Sequence, residues 1–128
     1  METAGVIFSV FAGILVIFQI ALSLGAPWGA ASYGGSNPGV LPTRFRVVSA
    51  ISGFGIYPLA ILFVLDASGV ADTGLADGNQ TELWLWLLSA LFGLGALANF
   101  ASRSKIERIW GPVALILAIC CGFLAVNV

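Results

Sequence analysis

Four long apolar runs, none with a charge in its interior, take up most of this chain. A helix needs about 20 apolar residues to cross a hydrocarbon core of about 30 Å. Residues 4–26, 46–66, 82–101 and 109–128 each meet that requirement. A Lys, Arg or Asp at the centre of such a helix costs about 2.5–3.5 kcal/mol on insertion scales, so uncharged interiors are what a bilayer demands. The runs are continuous rather than alternating, which selects helices over a closed barrel, the other arrangement that satisfies the backbone in lipid. The fold class expected is all-α: a polytopic membrane protein, one domain, with four transmembrane helices in an up-down bundle.

Composition supports the same solvent. The chain is 59% hydrophobic and 9% charged, whereas a soluble domain carries about 25% charged residues. All five cations fall in or beside two connections. Arg44 and Arg46 close the first, residues 27–45. Arg103, Lys105 and Arg108 fill the third, residues 102–108. The second, residues 67–81, and both tails carry only acids, namely Glu2, Asp72 and Asp77, with Asp66 and Glu82 flanking that loop. Lys and Arg in short loops stay in the cytoplasm. The expected orientation therefore puts connections one and three inside, connection two outside, and both termini outside a cell membrane. Trp84 and Trp86 fall at the outer interface and Trp28 and Trp110 at the inner one, the depth an indole prefers. The acidic start, METAG, and the length of the first run argue for a retained span rather than a cleaved signal.

Several function classes are excluded. The chain has no His, which removes His-ligated haem, His-zinc sites and His-based acyl transfer. Cys120 and Cys121 are adjacent on a helix and point about 100° apart, so they read as small apolar residues rather than a redox pair. No basic tract suits nucleic acid. No cofactor and no metal site is expected.

The remaining signals are local. Gly69 can close the second helix. Asn79–Glu82 and Ser104–Glu107 have the pattern of capping boxes. If the last helix starts at Ser104, Pro112 kinks it. If 104–110 is a separate turn, Pro112 opens the span in its first turn. Pro58, beside Gly53 and Gly55, leaves the Phe54 carbonyl without its helical donor and bends the second span. The first connection, rich in Pro and Gly, is neither helix nor strand. It folds back on the inner helix ends through Trp28 and Tyr33.

Small residues recur four apart at Ser9/Gly13, Ser49/Gly53 and Ser89/Gly93, marking faces where helices touch. SAISGFG (49–55) and SALFGLG (89–95) share a pattern on oppositely directed spans, which packing explains without an inverted repeat. Gln19, Tyr57 and Asn99 are the polar candidates for lining a ligand site or pathway. Gln19 and Asn99, both toward the inner ends, suit an inter-helix hydrogen bond or else a pocket open to the cytoplasm. The cations Arg44, Arg46, Arg103, Lys105 and Arg108 form a basic inner rim. Its partner is anionic lipid, or a headgroup held with Asn99, Ser102 and Glu107. Asp66 reads as an exposed acid at the outer interface, with a cation or proton as its functional alternative.

The segments APWGAASYGGSNPGVLPTRFR (26–46) and NFASRSKIERIWGP (99–112) resemble those of small four-span bacterial integral membrane proteins of unknown function. The resemblance implies four helices and no activity. Characterised four-span families fit poorly. Small multidrug exporters carry a Glu in the first span where this chain offers Gln19, which cannot titrate. The Gly-rich and Phe-Ser-Thr motifs of small fluoride channels are missing, and Cys120-Cys121 is not the CxxC of quinone-linked oxidoreductases. The reading that follows is a non-enzymatic bundle acting by association, as an accessory subunit beside another membrane protein or as a homo-oligomer. A small transporter or channel with a path between protomers is the first alternative. A lipid-acting intramembrane enzyme using Glu107 or Asp66 is the second.

Overall fold

A computed structural model describes residues 1–128. It is all-helical, and four helices are long and apolar enough to cross a membrane. They are α1 (Glu2–Ser23), α2 (Thr43–Ala67), α3 (Thr81–Phe100) and α4 (Trp110–Asn127), the last extended at its start by a tight turn over Glu107–Ile109. At about 1.5 Å per residue, the 20 residues of α3 span about 30 Å. Outward faces are apolar: Ile17 is 70% exposed and Val126 71%. Such surfaces suit lipid rather than water.

Helix ends follow from glycine. α1 stops at Ser23, short of the sequence boundary at Ala26, because Gly25 adopts φ +100. The Gly25 N–H donates to Leu22 O, and the Ala26 N–H to Ala21 O. Gly69, at φ +82, closes α2 in the same way, its N–H donating to Asp66 O and that of Val70 to Leu65 O. This paired closure needs a left-handed residue just past the helix, and glycine adopts it without steric cost.

The two prolines within spans, Pro58 and Pro112, are absorbed without interrupting the helices. Ser52–Ile56 is wound as a π-helical turn, and Tyr57–Ala67 resumes as α-helix with Pro58 in its first turn. The wider turn absorbs the missing Pro58 donor. Pro112 lies in the first turn of α4, after the separate turn at Glu107–Ile109. Its N–H would have been unpaired there anyway. A kinked helix starting at Ser104 is therefore not what forms. The capping box at 79–82 does not form either. α3 starts at Thr81 with no side-chain cap, and Thr81 Oγ1 instead donates to Ala76 O at 2.7 Å.

The packing order differs from the chain order. α1 packs on α2 and α4, and α4 on α3, while α2 and α3 hardly meet. The core joins Phe8 and Leu15 of α1, Val64 of α2, Leu85 and Phe92 of α3, and Leu117, Cys121 and Leu124 of α4. Two of the three small-residue pairs, Ser49/Gly53 and Ser89/Gly93, serve these internal seams. Gly53 sits against Ile20 and Gln19 of α1. Ser89 Oγ donates to Ala118 O at 2.8 Å, tying α3 to α4. Both cysteines are free and buried in this core.

Candidate functional site

Because α2 and α3 are splayed, a crevice runs between them, floored by α1 and α4 (Leu15, Phe18, Ala114). Its larger part, about 580 Å³, lies toward the end that carries the cationic loops. Ser52, Ile56 and Tyr57 form one wall, and Leu91, Phe92, Gly95 and Asn99 the other. A second groove of about 330 Å³ continues toward the acidic end, lined only by apolar side chains such as Leu59, Phe63, Leu75 and Trp84. Ile56, Ala60 and Leu88 line both. Tyr57 and Phe92, with ring centroids 6.3 Å apart, narrow the seam between them, and Phe8 packs edge-on behind Phe92 at 5.7 Å. The crevice is thus polar at one end and wholly apolar at the other.

The polar end is built by the first connection. It folds into two tight turns, Gly29–Ala31 and Tyr33–Gly35. Gly29 is pressed against the carbonyls of Asn37 and Gly39 so closely that no Cβ would fit. Tyr33 is in the left-handed region at φ +49, the one non-glycine residue there. Such a conformation costs about 1–3 kcal/mol and persists only where surrounding contacts hold it. Tyr33 has those contacts. Its hydroxyl lies 3.0 Å from the buried Ser49 Oγ, and its ring stacks on Phe45 at 4.6 Å. Trp110 Nε1 donates to Ala31 O at 3.0 Å, and Ser104 Oγ donates to Ala30 O. Phe18 packs between Trp110 (4.6 Å) and Trp28 (6.4 Å). Two connections distant in sequence therefore lock into one cap over the crevice.

Glu107 is the chemical centre of this end. It is only 6% exposed, and its Oε2 accepts the Gly34 N–H at 2.8 Å. No Lys or Arg nitrogen lies within 4.0 Å of its carboxylate. Sequence reading placed Glu107 in a capping box. The Ser104 half exists, the Glu107 N–H donating to Ser104 Oγ at 3.4 Å. The side chain, however, turns inward to the other connection instead of back to its own helix. The signal that pointed here was the aromatic content of residues 27–45, not the Glu107 spacing.

Gln19, Tyr57 and Asn99 all line the crevice. The inter-helix bond between Gln19 and Asn99 is not made. Asn99 Nδ2 donates to Gly95 O of its own helix at 2.8 Å, and Gln19 Oε1 is buried with no partner. Both amides line the crevice without bonding to each other.

The basic residues stand outside. Arg44, Arg103, Lys105 and Arg108 are exposed, with Arg44 over the Phe45 ring at 4.8 Å. Arg46 Nε donates to Ser23 O at the end of α1 (3.1 Å), and Arg108 Nε to Ser102 O (2.8 Å). A cation at a helix C-terminus is favourable. None of the five lines the crevice, so a headgroup site joining the rim to Asn99 and Glu107 is not assembled. At the opposite end Asp66 Oδ2 accepts from Thr73 Oγ1 and the Ala76 N–H, both at 3.0 Å. Asp66, Asp72 and Asp77 bring oxygens within 4.8 Å of one another. Asp66 thus organises the acidic loop, and sequence spacing alone did not reveal that grouping.

Comparison with family models, with curated proteins and with solved structures gives no match to this chain.

Proposed function

We propose that this chain is a non-enzymatic, multi-pass protein of the cell membrane that binds one amphipathic molecule from the bilayer in the α2–α3 crevice. The distribution of Lys and Arg supports an orientation with the polar end of the crevice at the cytoplasmic leaflet and both termini outside. One observation carries the reading: the seam changes from Gln19, Asn99 and Glu107 at one end to a groove lined only by apolar side chains at the other. A ligand with a polar head and an alkyl tail matches that gradient, because burying either half at the wrong end costs free energy. The side opening toward lipid lets the tail enter without crossing water.

The test fills the crevice without disturbing the bundle. Gly95 lines it, and a Cβ there would meet open space. Protein purified in mild detergent should retain a bound amphiphile in native mass spectrometry. Gly95→Phe should lose it while keeping its helicity and melting temperature. An unchanged ligand load in Gly95→Phe would refute the reading.

A second reading, association with another membrane helix, is favoured by one observation. Gly13 on α1 has no neighbour where a Cβ would stand, although its counterparts Gly53 and Gly93 face helices of the same chain. Cross-linking of single cysteines placed at Gly13 in liposomes tests it. Dimers at low protein density would support self-association.

A further inference from the structure

We infer that the polar head taken by this crevice is a protonated amine, so that the ligand is an ammonium-bearing amphiphile. The inference rests on the amphiphile-binding reading above and names its chemistry. Three groups that face the polar end are acceptors. Glu107 has one carboxylate oxygen occupied by the Gly34 N–H and no basic side chain in range. Gln19 Oε1 is buried and unpartnered. Asn99 gives its amide donor to Gly95 O, which leaves its carbonyl oxygen for a ligand. A buried carboxylate with one neutral hydrogen bond is far from satisfied, and an unpaired acceptor in a site of low polarity is costly. An ammonium supplies three donors and the missing charge at once. Rings of Tyr33, Trp110 and Phe18 line the same end, and aromatic faces attract cations. A phosphate or carboxylate head meets no cationic side chain there and faces the Glu107 carboxylate, since every Lys and Arg lies outside the lining.

The same ammonium could arrive on a phosphatidylethanolamine headgroup or on a single-chain alkylamine. The experiment reconstitutes the full chain in phosphatidylcholine nanodiscs. It titrates a brominated long-chain primary amine and the alcohol of equal length, reading quenching of tryptophan fluorescence. In the wild type the amine should half-saturate at least about tenfold below the alcohol, as expected for a hydrogen bond to a charged group. Glu107→Gln, which keeps an acceptor for the Gly34 N–H, should remove that preference, bringing the amine and alcohol half-saturation points together. Glu107→Asp should retain part of it. Equal curves for amine and alcohol in the wild type, or a full amine preference in Glu107→Gln, would overturn the ammonium inference and leave amphiphile binding standing. Failure of both probes to saturate would overturn both readings. Replacing part of the phosphatidylcholine by phosphatidylethanolamine separates the sources: a weakened amine response assigns the lipid headgroup, and an unchanged one assigns the single-chain amine.

Discussion

Glu107 accepts the backbone N–H of Gly34 at 2.8 Å, a hydrogen bond that joins the third connection to the first across 73 positions of sequence. It fixes the cap that closes one end of the α2–α3 crevice. It also brings a carboxylate to a crevice that none of the five cations lines. Removing that carboxylate altogether, as in Glu107→Ala, leaves the Gly34 N–H without its partner. A loss of about 1–3 kcal/mol is expected, read as a lower melting temperature in detergent and faster hydrogen exchange at residues 33–35.

The α3–α4 seam depends on Ser89, whose hydroxyl reaches Ala118 O at 2.8 Å. Ser89→Ala should destabilise the bundle by about 0.6–1.7 kcal/mol, the range for inter-helix hydrogen bonds in membranes. A reversible unfolding titration in mixed micelles measures it.

Two glycines with the same sequence signature should behave oppositely. A Cβ at Gly53 would stand 2.9 Å from Ile20 Cγ1 and 3.0 Å from the Ile20 backbone nitrogen, whereas one at Gly13 meets nothing within 4 Å. Gly53→Ala should cost about 1–3 kcal/mol through overpacking against α1. Gly13→Ala should be neutral or stabilise by up to about 1 kcal/mol, as glycine-to-alanine changes do inside helices. Paired melting curves compare the two directly.

The orientation has its own check. Cys120 and Cys121 are buried, at 7% and 0% exposure, and should react slowly with water-soluble maleimides. In a background with both changed to Ala, a cysteine at Asn79 should label from outside intact cells. One at Ile106 should label only after the cells are opened. The reverse pattern would invert the bundle.

Much of the fold was legible in the sequence because its causes are local. Uncharged apolar runs set four helices, and Gly69 closed α2 at the expected place. Gly25, which ends α1 early, shows the limit. Apolar residues continue past it, and only the backbone angle reveals the stop. The small-residue pairs marked close approach without naming the partner, which depends on which helices meet. Neighbours in sequence usually pack together, yet α2 and α3 are splayed, and the crevice exists for that reason. Gln19, Tyr57 and Asn99 were legible as polar exceptions in apolar runs. Glu107 was legible as a headgroup or acid–base candidate, but its bond to Gly34 was not, because that contact is made in three dimensions. The π-helical turn before Pro58 was equally hidden, since a proline specifies a missing donor and not how the backbone absorbs the loss.

The most direct test of the crevice is a cross-linking map in liposomes with a diazirine-bearing long-chain amine. Adducts should concentrate at residues 52–57 of α2 and 88–99 of α3, fall when excess unlabelled amine is added, and vanish in Gly95→Phe. Adducts spread equally over outward positions such as Ile17, Ile119 and Val126, with no competition by unlabelled amine, would contradict a bound ligand between α2 and α3.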